Sequence, residues 1–352
     1  MRLSRLELPP HTAGALLERF GNPEAIFGAS EAELCTIERL SSKRREQVLS
    51  PAPAAVERDI RLAEELGVQV ITITSPDYPS NLKNIYDPPV VVYVKGNMTE
   101  PDKLAVAMVG SRRASHYGLE TAQRIAADLA RRGLTIVSGG ARGIDTAAHK
   151  GALEAGGRTI AVLGCGIDTC YPAENKKLYE AVAGSGAVVS EFPFGAAPEP
   201  WRFPPRNRLI SGMALGVVVC QSPAASGALI TASYAAEQGK DVFAVPGNID
   251  EDRNRGCHAL IKDGAKLVES AADVLAELGL EPGEAEQLTL PVESLSDSER
   301  KIVALLSLDP VQVDEIIEKC DLPAPMVAGT LTILEMKGAI KRLPGNAYVR
   351  AL

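Results

Sequence analysis

The amino-acid sequence predicts an α/β protein: a doubly wound core with a helical module before it and a winged helix after it. Three observations predict this. Short apolar, β-branched runs alternate with helical stretches from Gly67 onward, the first part of the chain is helical without such alternation, and the last helices lead into two extended runs around a Pro-Gly turn.

Residues 1–70 carry helical periodicity in AGALLERF and EAELCTIERL, separated by Gly21-Asn22-Pro23 and followed by the charged run Lys43-Arg44-Arg45. They read as a small all-α module of helix-hairpin type, for which contact with a nucleic-acid backbone and plain packing or dimerisation stand equally open. Over residues 71–278, VQVITIT, PPVVVYVKG, LAVAMVG, LTIVSGG, RTIAVLG, AVVSEF, GVVVCQS and DVFAVPG read as strands. Helical segments such as YGLETAQRIAADLARRG, IDTAAHKGALEAGG and GALITASYAAEQG lie between the later ones. Strands that are apolar almost throughout belong to a parallel sheet covered on both faces. Residues 279–294, which run into EPGEAEQLTLPVESLSDSER, are acidic and aperiodic and read as a linker. Residues 295–352 hold three helical stretches and then AIKRLPGNAYVR, the outline of a winged helix.

At 352 residues and 45% hydrophobic content the chain can fill at least one sizeable core. A net charge of -8 excludes a protein that coats nucleic acid with its whole surface, so any phosphate site must be local. The start MRLSRLELPPHTAG has neither a long apolar region nor a small-residue cleavage site, and no stretch reaches the length of a bilayer span, so a soluble cytoplasmic protein without membrane contact is expected. Cys35, Cys165, Cys170, Cys220, Cys257 and Cys320 form no CxxC pair, and the four histidines fall at no zinc-ligand spacing, so reduced thiols and no metal are expected.

Ligands of an open parallel sheet bind beyond the carboxyl ends of its strands. Three loops there are unusual. Val109-Gly110-Ser111-Arg112-Arg113 runs a strand into a glycine, a hydroxyl and a guanidinium just before a helix, where backbone N–H groups favour anions. Ser138-Gly139-Gly140-Ala141-Arg142-Gly143 offers close backbone approach and another arginine. Leu163-Gly164-Cys165-Gly166 is followed by Tyr171-Pro172 and Asn175-Lys176-Lys177. Each loop alone is equally well a tight strand-to-helix turn; together they point to one anionic ligand or several phosphates in a row. None matches GxGxxG with its downstream acid, or GxxxxGK[ST], which disfavours a nicotinamide enzyme or a P-loop ATPase and leaves no cofactor expected.

A fourth feature is Trp201-Arg202-Phe203-Pro204-Pro205-Arg206-Asn207-Arg208, where the single tryptophan and a phenylalanine are interleaved with arginines in a chain with 4% aromatics. Bases stack on aromatics for about 1–3 kcal/mol each while arginines follow the phosphates, so the stretch suits a single strand. Its plain alternative is a structural loop whose arginines pair with carboxylates. Catalytic candidates are thin. Asp145 and His149, at i and i+4, read better as a capping Asp and a hydrogen-bonded His than as an acid–base pair, because no nucleophile stands beside them. Cys257-His258 reads as no metal pair.

GSRRASHYG, SGGARGIDTAAHKGAL, FPPRNRLISG, SGALITASYAAEQGKDVFAVPGN and GCHALIKDGA, in this order, resemble the DNA-processing protein A (DprA/Smf) family over nearly the whole chain. The resemblance implies an extended Rossmann-like core that binds single-stranded DNA, dimerises, and loads the recombinase RecA onto incoming strands in natural transformation, without catalysis. It implies a phosphate pocket of Gly110, Ser111 and Arg112, the loop Ser138, Gly139, Gly140 and Arg142, and Lys176 or Lys177, which spacing does not tell apart. Arg202, Arg206 and Arg208, with Phe203 and Asn207, would line the same groove. Where members often carry a glutamate after the strand preceding SGALITA, this chain has Gln221. Over 291–352 seven Lys and Arg stand against nine Asp and Glu, the wrong sign for a helix seated on phosphates, so protein contacts or duplex sensing are expected of the winged helix. The competing reading is a nucleotide phosphoribohydrolase of the type once called lysine decarboxylase, whose PGGxGT loop precedes a catalytic glutamate; here SGGARGID has none until Glu154.

Overall fold

The computed structural model describes the chain except Arg39, 51–52, 281–295, 307–310, Asp321, Gly338, 344–345 and 351–352. The linker expected over 279–294 lies, beyond Gly279 and Leu280, outside the described residues.

The core is a nine-stranded sheet of β1 (Val68–Thr72), β2 (Val91–Gly96), β3 (Ala105–Val109), β4 (Thr135–Ser138), β5 (Thr159–Leu163), β6 (Ala187–Ser190), β7 (Gly216–Val219), β8 (Asp241–Ala244) and β9 (Lys266–Leu267). The order is β1-β2-β6-β5-β4-β3-β7-β8-β9. From β6 to β9 every neighbouring pair is parallel, whereas β1 and β2 pair antiparallel with each other and β2 antiparallel with β6. The eight expected strands all form, and the short edge strand β9 adds one that two residues could not announce. The division expected at residue 70 falls inside β1.

Side chains along the central strands alternate between two apolar layers, as the pleat requires. Ala107, Val109, Val217 and Val219 pack under the helices Phe203–Gly212, Gly227–Glu237 and Arg255–Lys262. Val106, Met108, Val218 and Cys220 pack under His116–Arg131 and Ile144–Glu154. β3 and β5 are buried at every residue, so apart from Thr159, whose hydroxyl donates to the Ile136 carbonyl, both read as hydrophobic runs apolar on both faces. The helix Pro53–Leu66 contributes Ala63 to the layer around Tyr93 and Val188, so it serves the sheet although it precedes it.

The earlier helices enclose a separate cluster of Leu16, Ile26, Leu34 and Val48. The C-terminal part packs the helices Asp297–Leu305, Val313–Lys319 and Ala324–Met336 around Ile302, Ile316, Val327 and Leu331, beside the antiparallel strands β10 (Val311–Gln312), β11 (Ile340–Leu343) and β12 (Ala347–Arg350). No helix of the described residues is long and apolar enough to cross a membrane.

Candidate functional site

The chain builds β3 to β6 in one direction and then places β7 on the other side of β3. This is a topological switch point, where the loops leaving two adjacent parallel strands diverge and open a crevice. Val109 and Val219 are paired in register, so both loops leave the sheet at one level. The crevice is a cleft of about 1120 Å³ walled by the Gly110–Arg113 loop, the start of the helix Phe203–Gly212 and the Pro223–Gly227 loop.

The glycines of this region let protein pack on protein. Gly140 has φ +68° and a Cβ there would stand 2.6 Å from the Tyr179 hydroxyl; Gly143 has φ +78° and a Cβ would overlap the Ser111 carbonyl. Gly139 lies against the Arg206 guanidinium and the Asp145 carboxylate, Gly164 against the Phe203 ring, and Gly110 against Ile144 and the Gln221 backbone. Close approach is therefore used first to press three loops and one helix together.

Charge is concentrated where they meet. Arg206, 4% exposed, donates to the carbonyls of Gly139 and Val162 from the cleft floor. Asp145, also buried, accepts from the Ala141 N–H at 3.2 Å. Burial pushes the Asp145 carboxyl up and the Arg206 guanidinium down, and the attraction between them opposes both shifts. Above them the Phe203 ring is flanked by Arg112 at 5.6 Å, Arg206 at 5.7 Å and Tyr171 at 5.6 Å. Arg112 is exposed and, among the described residues, makes no ion pair. A cation over an aromatic face beside an exposed tyrosine is a surface on which a base can stack while its phosphate meets a guanidinium.

Of the residues named from sequence, Gly110, Ser111, Arg112, Phe203, Arg206 and Asn207 share the cleft, and Gly139 and Arg142 border an adjoining recess. Ser111 accepts from the Arg113 N–H at 3.1 Å, and Asn207 donates to the Gly227 carbonyl at 3.1 Å, tying the helix to the opposite wall. Arg142 is exposed and paired with Glu174. Lys176 and Lys177 are exposed at the first turn of the helix Lys176–Ser185, outside the cleft, where their charge opposes the helix dipole.

Four expectations are corrected. Ser138 is fully buried and donates to the Met108 carbonyl at 2.6 Å, so it fastens β4 to β3. Gly140 is buried, its carbonyl accepting from Asn175 and Tyr179 at 2.9 Å each. Arg202 is 7% exposed and forked onto Glu7 at 2.8 Å. Arg208 is 2% exposed between Asp87 at 3.0 Å and Glu191 at 2.5 Å. Residues two apart on a helix point roughly 200° away from each other, so Arg206 in the cleft sends Arg208 to the opposite side. Sequence reasoning passed over Arg113, exposed on the cleft wall beside Arg112, although the doubled arginine was the available signal.

The remaining polar groups are structural. The Thr159 hydroxyl donates to the Ile136 carbonyl, so at 2.7 Å it accepts from His149 Nδ1, and the fully buried imidazole is held neutral by desolvation, its pKa pushed down to about 3. Asp145 bonds Ala141 instead of His149. Cys257 Sγ and His258 Nε2 reach different carbonyls, those of Val219 and Gly247, and the described residues contain no group of three or more His, Cys, Asp or Glu able to hold a metal. Gln221 accepts from the Ser115 N–H at 2.8 Å and donates to Asn254 Oδ1 at 2.9 Å, a double role that an ionised glutamate could not fill. Glu154 ends its helix and accepts from Gln123 at 2.5 Å, the full length of that helix away from the loops, so it cannot act as the glutamate of a phosphoribohydrolase.

The family model of DNA recombination-mediator protein A matches residues 69–279, the span of this sheet and its loops. The chain belongs to that family. The model of the DprA winged helix domain matches residues 286–346. Among curated relatives of this mediator, protein Smf of Synechocystis is 36% identical over 80% of each chain, and protein Smf of Escherichia coli is 37% identical over 88% of this chain and 85% of its own. The DNA processing protein DprA of Streptococcus pneumoniae is 48% identical over 57% of this chain and 71% of its own. Its crystal structure matches with a TM-score of 0.63 at 39% identity, covering 78% of this chain and 95% of that one. The structure of DNA processing protein A from Helicobacter pylori, described for its single-stranded DNA binding mode, matches with a TM-score of 0.54 at 29% identity over 60% of this chain and 95% of that one.

Proposed function

We propose that this family member is a cytoplasmic, non-catalytic recombination mediator that binds single-stranded DNA in the switch-point cleft, dimerises through its core, and passes the strand to the recombinase RecA in DNA uptake. The observation that carries the binding step is the Phe203 ring flanked by Arg112, Arg206 and Tyr171 at the mouth of a cleft formed where the strand order reverses. In this reading Arg112 is the phosphate clamp and Phe203 the stacking platform. Gly110, Ser111, Gly139 and Arg142 border the path of the backbone, and Lys176 and Lys177 extend it. Arg206 and Asn207 hold the floor. A base-stacking surface without hydrogen-bond readout is indifferent to sequence.

The test is fluorescence anisotropy of labelled oligo(dT) with salt titrated upward and an equal-length duplex as competitor. Single strands should bind preferentially and lose affinity as salt rises. Arg112→Ala should lower the slope of log affinity against log salt by about one. Phe203→Ala should cost about 1–3 kcal/mol with the slope unchanged. Absence of binding at low salt would end the proposal, and an unchanged slope for Arg112→Ala would move the phosphate contact elsewhere.

A further inference from the structure

The helix Ala324–Met336 buries Val327, Thr330, Leu331 and Leu334 within the winged helix and leaves its other side open. That side carries no charge before Glu335, and Met326, Ile333 and Met336 are 49%, 48% and 85% exposed on it. At 100° per residue, positions 326, 329, 333 and 336 fall within about 80° of one another, so they form one stripe. The Thr332 hydroxyl beside it donates to the Ala328 carbonyl at 3.0 Å, so its proton is committed within the helix.

Gly329 sits in the middle of the stripe. A glycine there weakens the helix relative to alanine, and the domain does not require it, because a Cβ would meet nothing within 4 Å. What it provides at this exposed position is room for a second backbone to come close. The two ends of the helix are uncompensated as well. Pro323 supplies no side-chain cap and the first turn holds no acid. Glu335, exposed and without an ion pair among the described residues, stands in the last turn, where it opposes the helix dipole.

A second copy of the same helix answers the apolar stripe, the unneeded glycine and the uncompensated ends together. A two-fold contact needs one patch that carries both a projection and the hollow for it. Positions 329 and 333, like 326 and 336, lie equally far on either side of 331. Run antiparallel about Leu331, two copies therefore bring Gly329 of each level with Ile333 of the other, and Met326 level with Met336. Glu335 comes level with Val327 of the other copy, in the first turn, at the positive end of that helix. A parallel pair would instead set Ile333 on Ile333 and Glu335 on Glu335, and a DNA backbone would find no cation between residues 324 and 336. We propose that the helix Ala324–Met336 is a docking surface for a second copy of this chain, packed antiparallel with Ile333 of each copy over Gly329 of the other. A helix of 13 residues is about 20 Å long and offers less than the ~1,200–2,000 Å² of a stable interface. The contact is thus weak between free chains and strengthens where another contact already holds them together. The surface stands whether or not the cleft takes DNA.

Full-length Met326→Cys and Met336→Cys, oxidised in the absence of DNA, test the pairing. Both positions are exposed, so neither change disturbs the core, and the wild type with its exposed Cys35 sets the background. An equal mixture of the two variants should form disulfide-linked dimer about tenfold faster than either alone. The reason is that residues 326 of two antiparallel copies lie roughly 15 Å apart along the axis, whereas 326 and 336 are level. Adding Gly329→Leu to both should cut that rate about tenfold and leave the melting temperature unchanged or higher, since the domain leaves that space empty. Crosslinking of each variant alone as fast as the mixture, no crosslinking at all, or a rate indifferent to Gly329→Leu would overturn the proposal. So would thiols that stay uncrosslinked and are shielded from maleimide only by an oligonucleotide, which would give the face to DNA.

Discussion

Arg112, Arg206 and Arg208 are one residue type with three fates, and the difference lies in what each meets. Arg112 meets an aromatic face and solvent, Arg206 meets backbone carbonyls and a buried carboxylate, and Arg208 meets two carboxylates. Only the first keeps its charge free for a ligand. Removing Arg208 would break its buried pair with Glu191, a loss typically of about 3–5 kcal/mol, so its effect on DNA binding must be separated from its effect on folding. His149 gives the residue scale its pH prediction. The unfolded chain protonates this imidazole below about 6.5, while the folded chain resists until about 3. The unfolded state therefore binds more protons across that window, so stability falls as pH drops through it, at up to about 1.4 kcal/mol per pH unit. Urea unfolding of the wild type and His149→Gln at stepped pH should show their stability difference changing with that slope, and parallel curves would show that the imidazole titrates alike in the folded and unfolded chain.

At the scale of elements, the β4 loop is a hinge between strand and helix that only glycine can make. Gly143 combines a positive φ with a Cβ position already filled by the Ser111 carbonyl. Gly143→Ala should therefore destabilise the protein by about 1–3 kcal/mol and loosen Arg112, whose backbone also crowds that position. Thermal unfolding together with oligo(dT) affinity checks this; an unaltered melting temperature would mean that the loop relaxes without penalty. The helix Phe203–Gly212 divides its side chains between two recesses, Phe203 and Arg206 lining the cleft and Pro205 and Arg208 lining a recess at the N-terminal seam. Its first turn carries Pro204 and Pro205, which cost nothing there because those N–H groups have no helical partner.

For the whole molecule, the proposed binding surface lies on the doubly wound core, and the winged helix has little to offer phosphates. Lys319 is paired with Glu315 and Lys337 with Glu299, while the helix Ala324–Met336 exposes Met326, Ile333 and Met336. Paired lysines on two of its helices and an apolar helix surface suit a protein partner better than a DNA groove. A chain ending before residue 295 should hold oligo(dT) within about threefold of the full protein, a difference under 1 kcal/mol. Loss of binding on that truncation would return the winged helix to the DNA interface.

The sequence by itself determined the strand–helix alternation, the doubly wound core, the winged helix and the loops at the strand ends, because these depend on local periodicity and on glycine at turns. It also brought Arg112 and Phe203 forward from two separate motifs. It could not decide which arginines of the 202–208 stretch stay free. Glu7 lies 195 residues from Arg202 in the chain and Glu191 lies 17 from Arg208, on the connection leaving β6. Ser138 stood in the same glycine block as Gly139, and its burial followed from the pairing of β4 with β3. Helical phase and the choice of charge partner are settled by packing between distant segments, and that is where the tertiary structure separated the residues that line the cleft from those that pair within the fold.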